Sequence, residues 1–221
     1  MELSIIVPAY NEGKNLPQFL KRIEDVRPHN VNFELIIIDN NSTDNTQEVL
    51  REIAKYARVI MEKKPGYGSA IKCGLRNATG QWVCWTHADL QVDPYTIFEA
   101  YFLRKKNYYI KGQRYGRSFA DNFFTIGMSV LESILFQKKL WDINAQPNMI
   151  EHSNLPSIET IPDDFSLDLY MYTYLKQKKI IRFPTYFGPR FAGESSWNTG
   201  FKSRLKFIKR TLQYSWKLRW K

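Results

Sequence analysis

The first half of the chain alternates between short apolar runs and segments with helical apolar spacing. Residues 33–39 form a near-continuous apolar run, as expected for a strand covered on both sheet faces. Residues 15–26 instead carry Leu16, Phe19 and Ile23 at helical intervals, which predicts a helix. This alternation predicts a mainly parallel α/β sheet wound by right-handed crossovers. The predicted strands are 4–8, 33–39, 58–61 and 81–86, and the helices are 15–26, 46–56 and 69–76.

The second half of the chain is less regular. Its pattern predicts a helix, a strand, two helices and a strand, in that order, at 94–105, 108–112, 122–136, 165–176 and 180–184. Residues 201–221 then combine apolar residues at three- and four-residue spacing with interleaved Lys and Arg, which predicts a basic amphipathic helix that lies on an anionic membrane surface. The alternative is a helix that packs on the domain with a solvated basic face.

Polar residues cluster at the ends of the four predicted strands of the first half. In parallel α/β sheets, ligands bind beyond the carboxyl ends of the strands, so we expect a common binding site there. The clusters are Tyr10-Asn11-Glu12, Asp39-Asn40-Asn41-Ser42, residues 64–68 and His87-Ala88-Asp89.

The segment from Trp85 to Gln91 holds the most specific candidate chemistry. In an extended backbone, side chains at alternate positions share one side, so His87, Asp89 and Gln91 would converge on a single point. Such a set could hold a divalent cation, Mn²⁺ or Mg²⁺, with phosphate oxygens and water completing the shell. The alternative is that Asp89 caps the helix that opens near residue 94.

Other residues support binding of a nucleotide and its phosphates. Asp39 could accept a hydrogen bond from a nucleobase, or cap the following helix. Gly66 and Gly68 could let the backbone approach a ligand closely, although a glycine pair of this kind is more often a turn. Three loop arginines present planar forks that suit phosphate oxygens, or are solvated surface cations: Arg114, Arg117 and Arg190.

Acidic residues near position 165 are candidates for a general base. A sugar hydroxyl nucleophile needs a base, whereas a phosphate nucleophile is already anionic. Asp164 and Asp168 are the candidates, and helix capping is the alternative for Asp163 and Asp164, which follow a proline.

Composition limits the remaining possibilities. The chain has 221 residues, 43% of them hydrophobic, which is ample for a folded domain. Two cysteines form neither a disulfide framework nor a zinc site and fit a reducing cytoplasm. No signal peptide or membrane-spanning stretch is expected. The net charge of +10 suits nucleic acid, an anionic membrane or a phosphorylated substrate, but no nucleic-acid motif is present.

Six segments together resemble family-2 glycosyltransferases of the GT-A fold, and most closely the branch like dolichyl-phosphate-mannose synthase. These segments are SIIVPAYNE (4–12), IDNNSTD (38–44), GYGSA (66–70), HADLQ (87–91), GQRY (112–115) and RFAGES (190–195). The chain departs from the family pattern at His87, where the family has the first metal-site Asp, at Asn40, where it has a second Asp, and at Tyr67, where it has Lys.

The resemblance implies roles for particular residues. It implies a nucleotide loop at Pro8, Ala9, Tyr10 and Glu12, a base-binding element at Asp39 and Ser42, and glycines at Gly66 and Gly68. It also implies a metal and nucleotide element at His87, Ala88, Asp89 and Gln91, and contacts to a diphosphate or an acceptor phosphate at Arg190 and Ser195.

The resemblance implies an inverting glycosyltransferase. The donor would be a UDP- or GDP-sugar, and the acceptor a polyprenyl phosphate or a lipid-linked or surface glycan at the cytoplasmic membrane face. Residues 1–200 would form the catalytic domain, with a nucleotide-sugar half (1–110) and an acceptor half (111–200). The alternative is a catalytically weak nucleotide-sugar-binding protein. The sugar, the nucleotide and any homo-oligomer are left open.

Overall fold

A computed structural model describes residues 1–175, 179–193, 209 and 212–216 of the chain. Seven strands form one sheet, and six α-helices flank it. The strands are β1 (Leu3–Ala9), β2 (Phe33–Asp39), β3 (Arg58–Met61), β4 (Trp82–Trp85), β5 (Tyr108–Tyr115), β6 (Asn148–Glu151) and β7 (Lys179–Tyr186). The helices are α1 (Leu16–Val26), α2 (Thr46–Ile53), α3 (Tyr67–Asn77), α4 (Tyr95–Phe102), α5 (Phe119–Phe136) and α6 (Leu167–Tyr174).

The strand order in the sheet is β3-β2-β1-β4-β6-β5-β7. Strands β1 to β4 are parallel to one another, and β5 pairs with β7 in parallel. Strand β6 runs antiparallel to β4 and β5, which it joins. The carboxyl ends of β1, β2 and β4 therefore lie at one edge of the sheet, where the predicted polar clusters follow them.

Two hydrophobic cores lie on opposite faces of the sheet. Because side chains alternate along a strand, Ile37 of β2 faces one core and Ile36 faces the other. Helices α1, α2 and α4 cover the first face, and α3 and α6 cover the second. Burial on both faces explains the near-continuous apolar run of β2.

Every strand and helix predicted before residue 190 is present, and the structure adds one strand that was not predicted. The sequence pattern did not predict β6, a four-residue strand that is buried along its whole length. Its residues, Asn148 to Glu151, show neither alternation of polar and apolar residues nor a continuous apolar run, so they carry no strand signal. The predicted bounds also differ at several ends; the helix expected at 46–56, for example, ends at Ile53.

Helix α5 presents its apolar side to solvent. Phe119 is 86% exposed and Ile134 is 72% exposed, and the exposed row between them contains Phe123, Ile126 and Val130. The opposite side of α5 carries polar residues toward the interior, including Ser129 and Glu132, which are buried. The 122–136 helix is therefore amphipathic as predicted, but with its apolar face outward.

The predicted C-terminal helix lies largely outside the described residues. Lys209 and residues 212–216 are helical, and Trp216 is exposed. The predicted helix at 201–221, and its contact with a membrane, stay predictions. Within the described part of the chain, no helix is long and apolar enough to cross a bilayer.

Candidate active site

A cavity of about 600 Å³ opens at the carboxyl ends of β1, β2 and β4. The loops after these strands and helices α5 and α6 form its walls. Twelve of the predicted site residues line it: Pro8, Ala9, Tyr10, Glu12, Gly66, His87, Asp89, Gln91, Arg114, Arg117, Asp168 and Arg190. Residues that are distant in sequence therefore meet in one place, as the strand-end argument predicts.

The segment after β4 reaches the cavity by a different backbone path from the one expected. The prediction of an extended backbone was wrong, because the chain bends from residue 88 to residue 92 and Leu90 has a φ of 59°. The Oδ1 atom of Asp89 accepts a hydrogen bond from the Gln91 backbone N–H at 3.1 Å. The bend nevertheless leaves His87, Asp89 and Gln91 on the cavity wall.

Arg190 joins two carboxylates on this wall. Its Nη1 donates to Oδ2 of Asp89 at 3.2 Å, and its Nη2 contacts Oε1 of Glu12. The loop that carries it is fixed to the Asp89 segment, because the Phe191 N–H donates to the Asp89 carbonyl oxygen. Burial raises the pKa of Glu12, and Arg190 partly opposes that shift. Arg190 thus supplies the positive charge that two largely buried carboxylates require.

The donor set suits a cation that is held jointly with a diphosphate. Asp89 supplies one carboxylate, and no described residue bonds to the His87 ring nitrogens, although the ring lies 5.4 Å from that of Tyr67. No group of three or more His, Cys, Asp or Glu residues within the described ranges has the arrangement of a metal site. Protein ligands alone would therefore leave a divalent cation under-coordinated, whereas phosphate oxygens would complete its shell.

Four of the predicted binding residues lie behind the cavity wall. Asp39, Ser42, Gly68 and Ala88 are buried and do not line the cavity. Asp39 accepts from the Ser42 backbone N–H at 3.1 Å through Oδ1, and its Oδ2 has no hydrogen-bond partner among the described residues. Helix α2 is capped by Asp44 instead, whose Oδ1 accepts from the Thr46 N–H. Ser195 lies outside the described residues.

Hydrogen bonds of the Asn40 side chain connect the loop after β2 to the loop after β3. Its Nδ2 donates to the carbonyl oxygens of Glu62 and Lys64, at 2.9 and 2.7 Å, and its Oδ1 accepts from the Gly66 N–H at 2.8 Å. Gly66 has a φ of 134°, and a Cβ atom there would lie 2.3 Å from the Asp163 carbonyl oxygen. The glycine at 66 is therefore required by the backbone, and Asn40 positions it.

The loop before α6 is held against the start of α3. A Cβ atom on Gly68 would lie 2.2 Å from the Pro162 carbonyl oxygen, so this glycine permits the close approach. The carboxylate of Asp163 contacts Lys64 and also bonds Lys72 at 2.9 Å, and these partners lower its pKa. These contacts assign Asp163 to the framework of the site.

Neighbouring groups hold two arginines in place, one near the end of β5 and one just after it. Arg114 forms a buried ion pair with Asp142, in which its Nε donates to Oδ1 at 2.9 Å. Arg117 donates to Oγ1 of Thr125 at 2.5 Å. The guanidinium groups of both lie over the ring of Phe187, 5.2 and 5.4 Å from its centre. Both side chains are therefore oriented before any ligand binds.

The two predicted base candidates differ in their surroundings. Asp164 accepts from the Ser166 backbone N–H at 2.9 Å in the turn just before α6. Asp168 lines the cavity floor, is 2% exposed and accepts from Nε1 of Trp85 at 3.1 Å. Burial raises the pKa of Asp168, against the effect of the buried cation Lys111. Of the two, the structure brings only Asp168 to the cavity.

Sequence reasoning missed several residues that line the cavity. The ring of Tyr67 stacks on that of Phe165 at 5.1 Å, and its hydroxyl accepts from Nε2 of Gln146 at 2.8 Å. No motif carried a signal for Gln146 or Phe165. Glu132 is a single acidic residue within the apolar run at 123–136, and the sequence pattern assigned it no role.

The chain matches known proteins in sequence. A family profile described as glycosyl transferase family 2 matches residues 4–155. The dolichol-phosphate mannosyltransferase of Pyrococcus furiosus is 27% identical over 211 residues, which are 88% of this chain and 59% of that protein. An undecaprenyl-phosphate 4-deoxy-4-formamido-L-arabinose transferase of Pseudomonas savastanoi pv. phaseolicola is 33% identical over 116 residues, 50% of this chain and 34% of that protein. The chain thus spans between one third and three fifths of these relatives' lengths.

The fold also matches solved structures. Glucosyl-3-phosphoglycerate synthase from Mycobacterium tuberculosis, in complex with Mn²⁺, uridine diphosphate and phosphoglyceric acid, has a TM-score of 0.70 and 20% identity, over 99% of this chain and 78% of that one. The same enzyme with Mg²⁺ and uridine diphosphate has a TM-score of 0.69 and 18% identity, over 97% and 79%. At this identity the likeness establishes the GT-A fold.

The profile match covers most of the chain, and the fold agrees with it. Of the segments that line the cavity, those from the loop after β1 to the bend after β4 fall inside the matched residues 4–155. The chain belongs to glycosyl transferase family 2.

Proposed function

We propose that this protein is an inverting glycosyltransferase that moves a sugar from a nucleoside diphosphate to a polyprenyl phosphate. The observation that carries the proposal is the cavity in which the loop after β1, the bend after β4 and Arg190 meet. Family membership supports the reaction class. The two curated relatives, whose names specify dolichol phosphate and undecaprenyl phosphate, support the acceptor class.

In the reaction, an oxygen of the acceptor phosphate attacks the anomeric carbon of the donor sugar. The bond from that carbon to the diphosphate breaks, and the nucleoside diphosphate leaves with the electron pair. Because a phosphate nucleophile is already anionic, no side-chain base is needed. Asp168 would serve as a base only for a hydroxyl acceptor, and its present bonds make it a positioning residue for Trp85 and Tyr67.

Negative charge builds up on the departing diphosphate, and this chain has groups to receive it. Arg190 donates hydrogen bonds to the carboxylates of Asp89 and Glu12, and its side chain lines the cavity. A divalent cation, when bound, would neutralise part of the same charge as a Lewis acid. Asp89 and His87 would hold it together with the diphosphate, and Gln91 lies on the same wall.

We further propose that the protein associates peripherally with an anionic membrane at its cytoplasmic face, where a polyprenyl-phosphate acceptor would be found. Two observations support this proposal. One is the solvent-exposed apolar row of α5, which includes Phe119 and Phe123, and the other is the net charge of +10. A helix with its polar side at the cavity and its apolar side exposed suits an acceptor with a polar head and an apolar tail.

A transfer assay tests the function. The unaltered chain is incubated with UDP- and GDP-sugars, Mn²⁺ and vesicles that contain undecaprenyl or dolichyl phosphate, and glycolipid formation is measured. Asp89→Ala should lower kcat/KM on the order of 100-fold. Asp25→Ala, which removes an exposed carboxylate on α1, is the matched control and should leave it unchanged. No transfer by the unaltered chain, or full activity of Asp89→Ala, would contradict the proposal.

A further inference from the structure

Helix α5 contributes an acidic side chain to the cavity that no motif accounts for. Glu132 is 2% exposed and lines the cavity. Its Oε2 has no hydrogen-bond partner among the residues that the structure describes. A buried polar atom without a partner is costly, so its presence at the wall of a cavity points to a partner that arrives with a ligand.

The polar neighbours of Glu132 on the same helix face have partners inside the protein. One turn before it, Oγ of Ser129 accepts from the Asp142 backbone N–H at 3.2 Å. Two turns before it, Oγ1 of Thr125 accepts from Arg117. Glu132 therefore differs from Ser129 and Thr125, whose hydroxyl groups help to position other residues of the cavity.

The surroundings of Glu132 indicate what kind of group would bind there. Burial alone raises its pKa from 4.5 to about 8, and no charged side chain among the described residues contributes to the shift. The carboxyl group is therefore largely protonated at neutral pH, and it can both donate and accept a hydrogen bond.

We propose that Glu132 forms part of a sugar subsite, in which its carboxyl group hydrogen-bonds a hydroxyl group of the sugar in the cavity. A hydroxyl matches a neutral carboxyl group, because each can donate and accept. The sugar is the one that the nucleotide donor carries, because the proposed acceptor is a polyprenyl phosphate. This inference rests on the proposed function and adds a residue that recognises the sugar.

Calorimetry on the full chain tests the proposal. Binding of UDP, GDP, UDP-glucose and GDP-mannose is measured in one Mn²⁺-containing buffer. Glu132→Leu should weaken binding of the nucleotide-sugar about tenfold, as expected for one lost hydrogen bond, and leave the nucleotide alone unaffected. Glu132→Gln, which keeps a donor and an acceptor, should restore most of the affinity. Glu52→Leu, on an exposed position of α2, is the matched control.

The outcomes are distinct. If Glu132→Leu leaves nucleotide-sugar affinity unchanged, or weakens binding of the nucleotide and of the nucleotide-sugar equally, Glu132 has no sugar to bind and the inference is overturned. Failure of the unaltered chain to bind any nucleotide would instead remove the proposed function, and this inference with it.

Discussion

Replacing Glu132 by Gln should stabilise the protein by an amount that depends on pH. The substitution keeps the size of the side chain and removes its ionisation. Glu132 is buried in α5, and burial raises its pKa from 4.5 to about 8. The carboxyl group therefore binds a proton more tightly in the folded chain than in the unfolded chain.

The size of the effect follows from linkage. Below pH 4.5 the group is protonated in both the folded and the unfolded chain, so its ionisation does not change the free energy of unfolding. As the pH rises toward about 8, the unfolded chain loses the proton first, so folding becomes less favourable. One pKa unit corresponds to about 1.4 kcal/mol, so the full cost is about 5 kcal/mol above pH 8 and about 3 kcal/mol at pH 7.

Urea unfolding at pH 5, 6, 7 and 8 measures this cost. The free energy of unfolding is obtained for the unaltered chain and for Glu132→Gln, and the two are subtracted at each pH. The free energy of unfolding of the variant, minus that of the unaltered chain, should increase by about 1.4 kcal/mol per pH unit between pH 5 and pH 7. Any constant effect of the amide cancels in the slope.

A matched control separates this effect from a general change in charge. Glu52→Gln alters an exposed glutamate on α2, and solvent surrounds that side chain in both the folded and the unfolded chain. The difference in free energy of unfolding between Glu52→Gln and the unaltered chain should stay constant over the same pH range. A flat difference for Glu132→Gln as well would refute the reasoning, because it would mean that the carboxyl group is ionised and solvated in the folded protein.

Two further substitutions test the framework of the cavity. Asp142→Ala leaves its arginine partner buried without a counter-charge and should lower the free energy of unfolding in urea by about 3 kcal/mol, whereas Glu159→Ala, at an exposed pair, should leave that free energy nearly unchanged. Gly66→Ala forces a Cβ atom to 2.3 Å from a carbonyl oxygen at φ 134° and should lower Tm and weaken nucleotide binding, whereas Gly127→Ala, on α5 with open space around it, should raise Tm slightly. Equal Tm changes for the two glycine variants would contradict the assigned geometry.

The elements of the first half of the chain could be predicted because their signals are local. A strand such as β2, covered on both faces, has to be apolar along its length, and a helix such as α1 has to carry apolar residues at helical intervals. Strand β6 lacked such a signal, since its four buried residues are specified by the strands on either side of it.

The sequence also determined which segments would meet. Polar clusters that follow parallel strands have to lie at one edge of the sheet, and twelve of the predicted residues line one cavity there. The backbone path that brings the segment after β4 to that cavity could not be predicted from the sequence. The bend at Leu90, which brings Asp89 to the wall, depends on hydrogen bonds with the loop at 188–191, about a hundred residues later in the chain.

By itself, then, the sequence determined the order of strands and helices and the edge of the sheet where chemistry is concentrated, because periodicity and chain direction are properties of neighbouring residues. Only the tertiary structure decided the state of each side chain. Asp164 became part of the turn before α6, Asp168 a buried member of a hydrogen-bond network, and Glu132 a buried acid with a raised pKa at the cavity wall. Burial and partners set these roles, and both come from residues distant in the sequence.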